Sequence, residues 1–283
     1  MKSDQTLIEV YRDIKSALQD VSDQADVEAV YIITHVLGLK REDIVLSPGS
    51  FVENEKADLI KEILGCRKTG RPLSNIFGEK EFWGRVFKTT SDTLDPRADS
   101  ETLIRAAKEF FPDRSAPLEM LDIGTGTGCL IVTLLCEYQN AKGTAIDISK
   151  PAIDIAKANA QKYGAEKRIE IIQQSWADLA SNKKYDLVIS NPPYISRDEE
   201  LEKSVTGYDP HVALYADHNG LKAYEEISDI LPNILNDDGI AVFEIGLTQA
   251  NDVTRIFEKA GMVRKSLFQD LAKRDRCLVF TKA

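Results

Sequence analysis

Apolar residues recur along this chain at two different spacings, and the change from one to the other divides it. Leu7, Val10, Tyr11, Ile14, Ala17, Leu18 and Val21 keep the three-and-four spacing of one helical face, and Val27, Val30, Ile33, Val36 and Leu37 repeat it up to Gly38. A third helix is predicted from Asn54, a fair N-cap, through Leu59, Ile60, Ile63 and Leu64 to Gly65. Consecutive amphipathic helices imply a small bundle over residues 1–80. Aromatic and β-branched residues then surround Gly84 between Lys80 and Leu94, which predicts a hairpin linker over residues 81–94.

Beyond Pro96 the spacing alternates. A helix is expected near residues 100–111, a strand at Leu118–Ile123, and a helix holding Leu130, Val132 and Leu135. Strands follow at Gly143–Ile148, Ile169–Gln173 and Tyr185–Ser190, with an Ala- and Lys-rich helix from Pro151 to Tyr163 among them. Later strands fit Ile240–Ile245, Met262–Leu267 and Cys277–Thr281. Strand and helix alternation of this kind builds an α/β fold, a parallel doubly wound sheet, here over residues 95–283. Such sheets bind ligands at the carboxyl ends of their strands, so the residues just after each strand carry the functional information.

A length of 283 residues suits one catalytic domain with a smaller attachment. A net charge of −10 opposes the counterion release that drives tight nucleic-acid binding, so no direct nucleic-acid contact is expected. Cys66, Cys129, Cys136 and Cys277 form no CxxC pair and have no His at zinc spacing, so they read as reduced thiols of a cytoplasmic protein without a metal site. The longest apolar stretch, Leu130 to Cys136, is too short to span a bilayer, and no export signal or membrane contact is expected. A monomer is expected.

The first strand of the sheet runs into Asp122-Ile123-Gly124-Thr125-Gly126-Thr127-Gly128. Glycines there let the backbone turn tightly and approach a ligand, although any tight strand-to-helix turn needs the same freedom. Asp147 ends the second strand, where a carboxylate can accept both hydroxyls of a ribose, so loop and acid together describe a nucleoside site. A nicotinamide enzyme would need a small residue where Cys129 stands, which weighs against an oxidoreductase.

The fourth strand ends in Asn191-Pro192-Pro193-Tyr194. Two prolines stop strand pairing, stiffen the corner and leave carbonyls free to accept. The Asn191 side-chain oxygen and a backbone carbonyl, that of Pro192, can take the two N–H donors of a planar amide or amine while Tyr194 covers its face. Acceptors suit methyl transfer to nitrogen better than a strong base does. They orient the nitrogen and stabilise the positive charge developing on it, and its extra proton can then leave to water.

The glycine pattern resembles the first motif of class I S-adenosylmethionine methyltransferases. That likeness implies S-adenosylmethionine as cofactor, held by Gly124, Thr125, Gly126, Thr127 and Gly128, with Asp147 on its ribose, Trp176 beside its adenine and Asn191 at its methyl group. Ser175 stands where many relatives carry an acid for the adenine amino group. The Asn-Pro-Pro-Tyr tetrad also serves exocyclic base amines in nucleic-acid methyltransferases, so it does not choose the acceptor. Other segments do. Gly70-Arg71-Pro72-Leu73, Phe77 to Gly84, Leu94 to Thr102, Tyr208-Asp209-Pro210, Ala213-Leu214, Gly220-Leu221 and Asp270 to Arg276 resemble the HemK/PrmC family over nearly the whole chain.

The family likeness implies a seven-stranded Rossmann-like sheet with its last strand antiparallel, behind a helical N-terminal domain that recognises the substrate. It also implies methylation of the glutamine of a Gly-Gly-Gln motif in class 1 peptide chain release factors. Departures are Ser100-Glu101-Thr102 where Thr-Glu is commoner, Ala216-Asp217-His218-Asn219 where glycines are usual, and Lys273 where Gly is; they touch loop shape more than the methyl-transfer centre. Arg97 and Glu101 are either ligand contacts or shapers of a helix start. A nucleic-acid amino-methyltransferase and a cofactor-binding module without catalysis are the remaining rivals.

Overall fold

The computed structural model describes residues 2–179, 182–199, 208 and 210–283. They form two compact units, one of the described residues up to Phe77 together with Tyr208, the other of the rest. In the small unit, α1 (Leu7–Leu18), α2 (Ala25–Leu37), α3 (Asp43–Leu46), α4 (Asn54–Lys68) and α5 (Leu73–Phe77) accompany a short antiparallel pair, β1 (Lys2–Thr6) and β2 (Phe51–Glu53). Leu7, Val10, Ile14 and Leu18 bury one face of α1 against Ala29, Ile32 and Ile33 of α2 and Ile60 and Ile63 of α4. Gly38, at φ +67°, closes α2 where the spacing predicts. Two details differ from expectation. Glu53, not Asn54, stands at the N-cap position of α4, with no side-chain cap, and the helix runs through Gly65 to Lys68, where Arg67 pairs with Glu28 of α2 at 2.8 Å; the left-handed residue beyond its end is Gly70.

The hairpin is shorter than its predicted span and belongs to the large unit. β3 (Glu79–Phe82) and β4 (Arg85–Lys88) join through Trp83 and Gly84, both left-handed, as a two-residue turn that follows the strand twist requires. Seven strands follow in the order β12 (Met262–Gln269), β13 (Asp275–Lys282), β11 (Leu235–Glu244), β8 (Tyr185–Ser190), β5 (Glu119–Ile123), β6 (Lys142–Asp147), β7 (Ile169–Gln173). All run parallel except β13, which is antiparallel to both its neighbours. A two-residue pair, β9 (Ile195–Ser196) and β10 (Tyr215–Ala216), lies outside this sheet.

Side-chain alternation sorts the core into two faces. Met120, Leu187, Val242 and Val279 pack with α6 (Glu101–Phe110), α7 (Cys129–Glu137) and α8 (Lys150–Lys162). Their neighbours Leu121, Val188, Phe243 and Phe280 pack with α9 (Lys222–Ile234) and α10 (Ala250–Lys259). The chain reverses its winding at β5, whose partners are β6 on one side and β8 on the other. A crevice opens at that reversal, above the carboxyl ends of β5 and β8.

Candidate active site

Ile123 and Ser190 are register partners at the ends of β5 and β8, and the Ser190 hydroxyl donates to the Ile123 carbonyl at 2.7 Å. The glycine loop and the Asn191 corner therefore leave the sheet side by side. The Gly124 and Thr125 amides both donate to the Ile146 carbonyl at 2.9 Å, which draws the loop across the end of β6. There the Asp147 carboxylate accepts from the Gly126 amide and from the Ser149 amide, each at 2.9 Å. Each Asp147 oxygen is held by one donor and keeps a lone pair for another.

A cavity of about 730 Å³, open mouth included, sits over these strand ends. Gly124, Gly126, Asp147, Trp176, Asn191 and Pro193 line it. Cβ atoms added at Gly124 or Gly126 would meet open space, and both residues are left-handed, so the loop lies bare along the wall. Ile148, half exposed, adds an apolar surface beside Trp176. A nucleoside carrying an amino-acid tail fits this lining: a carboxylate for hydroxyls, an aromatic and an aliphatic side chain for a base, and bare backbone for the tail.

Some of the expected contacts lie elsewhere. Thr125, Thr127 and Gly128 do not line the cavity. The Thr125 hydroxyl donates to the buried Asp122 carboxylate at 2.7 Å, Thr127 is buried with its carbonyl bound by Asn159, and Gly128 caps α7 where a Cβ would come within 3.2 Å of Ala156. These residues shape the loop from behind. Burial raises the Asp122 carboxyl to about 7, against the Thr125 hydrogen bond and with added repulsion from Asp147. Its Oδ1 has no hydrogen-bond partner among the described residues.

Pro192 is likewise buried rather than facing the cavity. Tyr194 does not cover the cavity either. Its ring packs on the core face that holds Tyr224, its hydroxyl donates to Glu244 at 3.1 Å, and it lines an adjoining cavity with Ile195, Leu247, Gln249 and Arg276. Burial, with the nearby Glu244 charge, pushes the Tyr194 hydroxyl well above the usual phenol range. The tetrad thus turns a corner between two cavities, Asn191 on one and Tyr194 on the other. Glu101 accepts the Trp83 amide at 2.7 Å, which makes it a support for the hairpin turn. Asp209 lies outside the described residues.

A profile described as the PrmC N-terminal domain matches residues 9–78, and one described as the methyltransferase small domain matches residues 100–207. A bifunctional methyltransferase of Rickettsia conorii is 32% identical over 95% of this chain, which spans 57% of that relative's length. A release factor glutamine methyltransferase of Cereibacter sphaeroides is 38% identical over 90% of both chains. The chain belongs to the release factor glutamine methyltransferase family. Likeness in fold extends further: the crystal structure of a methyltransferase from Pyrococcus furiosus superposes with a TM-score of 0.53 at 16% identity, covering 76% of this chain and 98% of that one.

In this member of the family, the site also depends on polar residues that reading along the sequence did not single out. Asn159 of α8, fully buried, donates to the Thr127 and Lys88 carbonyls and accepts the Lys88 amide, tying glycine loop to hairpin. Gln249 donates to the Tyr194 carbonyl at 2.9 Å and accepts the Gly246 amide. Glu244, 1% exposed, ends β11 and accepts from Tyr194 and from Ser100. A charged residue directly after the apolar run Ile240 to Phe243 was the available signal for Glu244; nothing local marks Asn159 or Gln249.

Proposed function

We propose that this chain transfers the methyl group of S-adenosylmethionine to the side-chain amide nitrogen, N5, of the glutamine in the Gly-Gly-Gln motif of class 1 peptide chain release factors. The observation that carries this reading is the shared lining of one cavity by Gly124, Gly126, Asp147, Trp176 and Asn191. S-adenosylmethionine, when bound, supplies a methyl carbon already activated by its sulfonium. Asp147 would hold the ribose hydroxyls, Trp176 and Ile148 the adenine, and the bare loop at Gly124 and Gly126 the methionine end. Family membership supports the glutamine acceptor.

In this reading the side-chain oxygen of Asn191 accepts an N–H of the substrate amide, orients the nitrogen lone pair and stabilises the charge that develops there. Tyr194, on the adjoining cavity, guides the glutamine side chain toward the corner rather than capping the cofactor cavity. The helical residues 1–80 recognise the release factor, a role supported by the profile match at residues 9–78 and by Val45, Leu46 and Phe51, which are exposed on that unit. The enzyme acts as a cytoplasmic monomer without a nucleic-acid contact, consistent with its net charge of −10; among the described residues no helix is long and apolar enough to cross a membrane.

The test is direct. Purified protein, labelled cofactor and a class 1 release factor are incubated, and the product is mapped by mass spectrometry. A methyl group on the Gly-Gly-Gln glutamine is expected. A methyl on lysine, or label entering DNA or ribosomal RNA while the release factor stays unlabelled, would overturn the assignment.

A further inference from the structure

Three segments far apart in sequence meet behind Asn191. Ser100, in the turn that leads into α6, is 3% exposed, and Glu244, at the end of β11, is 1% exposed. The Ser100 hydroxyl donates to Glu244 Oε2 at 2.5 Å, and the Tyr194 hydroxyl donates to Oε1 at 3.1 Å. Asn191 Nδ2 donates in turn to Ser100 Oγ at 3.2 Å. Asn191 Oδ1 makes no hydrogen bond among the described residues, while the residue lines the cavity that Gly124, Asp147 and Trp176 share.

We infer that Glu244 and Ser100 are positioning residues that lock the Asn191 amide with its oxygen toward the cavity, and so make the site selective for an N–H donor. This deepens the proposed function and rests on it.

An ionised carboxylate only accepts, so each hydroxyl beside Glu244 must spend its single proton on it. Ser100 then offers Asn191 lone pairs alone. An amide answers a lone pair with its NH₂, and the opposite rotamer would set Oδ1 against the Ser100 oxygen with no hydrogen between them. The orientation of Asn191 is therefore dictated two bonds away. Both Glu244 oxygens accept from hydroxyls, the pattern of an ionised carboxylate; burial raises the carboxyl above its usual range, and the Ser100 hydrogen bond, the charge of Arg276 and the Tyr194 hydroxyl offset part of that. Without the lock, Asn191 could present NH₂ to the substrate NH₂, two donors facing each other, and the amide would be held out of line.

Ser100→Ala and Ser100→Thr decide the matter, assayed with a release factor and S-adenosylmethionine beside the unaltered enzyme. Ser100→Ala should lower kcat about 10- to 100-fold while the cofactor Kd, by calorimetry, stays near that of the unaltered enzyme, because only the alignment of the acceptor is lost. Ser100→Thr keeps the hydroxyl and should restore most of kcat. Side-chain amide resonances of Asn191 should move in Ser100→Ala and return in Ser100→Thr. Should Ser100→Ala not fold, Ser100→Cys keeps the shape of the side chain but weakens donor and acceptor, and should lose kcat while remaining folded. Full kcat in a folded Ala or Cys variant, or a Thr variant as slow as Ala, overturns the inference. An unaltered enzyme that leaves the release factor unmethylated instead refutes the proposed substrate.

Discussion

Gly220 faces the Tyr194 carbonyl so closely that a Cβ added to it would lie 2.1 Å from that oxygen and 2.8 Å from the Gln249 side-chain nitrogen. Gln249 donates to the same carbonyl, so one backbone oxygen of the Asn-Pro-Pro-Tyr corner is gripped by a side chain and covered by a glycine. Gly220 is also left-handed, at φ +82°, directly after the left-handed His218 and Asn219. His218 and Asn219 carry side chains on that left-handed backbone, and the position beside them that admits no Cβ is glycine.

Gly220→Ala should therefore disturb the corner itself. Overpacking plus a left-handed alanine is expected to cost about 2–4 kcal/mol of stability, read from urea unfolding. The activity of the folded fraction should fall about 100-fold, because the corner is displaced by a large part of an ångström. A variant with the stability and turnover of the unaltered enzyme would show that the close approach is not real.

Lys273 occupies a left-handed position, at φ +63°, in the turn between β12 and β13, where Asp270 accepts the Arg274 amide and guanidinium. Lys273→Gly should relieve that strain and raise stability by about 0.5–1 kcal/mol, the gain being trimmed by the extra freedom of glycine in the unfolded chain. A thermal or urea midpoint that falls would contradict it. Activity should not change, since the lysine is exposed.

Asp122 makes stability depend on pH in a direction opposite to the usual paired carboxylate. Its folded pKa is raised from 3.8 to about 7 by burial, so the folded protein holds a proton that the unfolded chain releases. The stabilisation is complete below the unfolded value and is lost as pH rises through the folded one. Asp122→Asn removes this term. Measured by urea unfolding at pH 5 and pH 8, the variant should gain stability relative to the unaltered protein as pH rises. A difference between the two proteins that does not change with pH would refute it.

Asp147 both anchors the glycine loop, through the Gly126 amide, and faces the cavity. Asp147→Ala should weaken S-adenosylmethionine binding about 10- to 100-fold, the loss of charge-assisted hydrogen bonds. Calorimetry checks this, and an unaltered Kd would move the ribose to another residue. Thr127→Ser, which leaves the buried loop backbone in place, should bind normally.

The elements that sequence reading located well are those whose signal is local. Ile169–Gln173 and Tyr185–Ser190 match their predicted limits because an apolar run between polar neighbours is a property of the segment itself. Gly65 misled for the complementary reason. A glycine in a helical run weakens the helix by little, and beyond it Arg67 pairs with Glu28 of a different helix. The extent of β11, which begins at Leu235 rather than Ile240, was equally hidden, since its polar first half pairs irregularly with β8.

By itself the sequence determined the periodicities, the turns that need glycine, and the chemical groups offered at each strand end: a bare loop, Asp147, and Asn191 with its prolines. Those are properties of neighbouring residues, and they sufficed for the fold class; the family was legible in further segments such as Gly70 to Leu73, Leu94 to Thr102 and Asp270 to Arg276. Tertiary structure alone decided which of these groups share a cavity, that Tyr194 turns to a second one, and that Ser100, 91 positions before Asn191, lies against its amide. Hydrogen bonding between buried groups depends on which strands are adjacent and how far each one runs, and neither is written in the order of residues along a single strand.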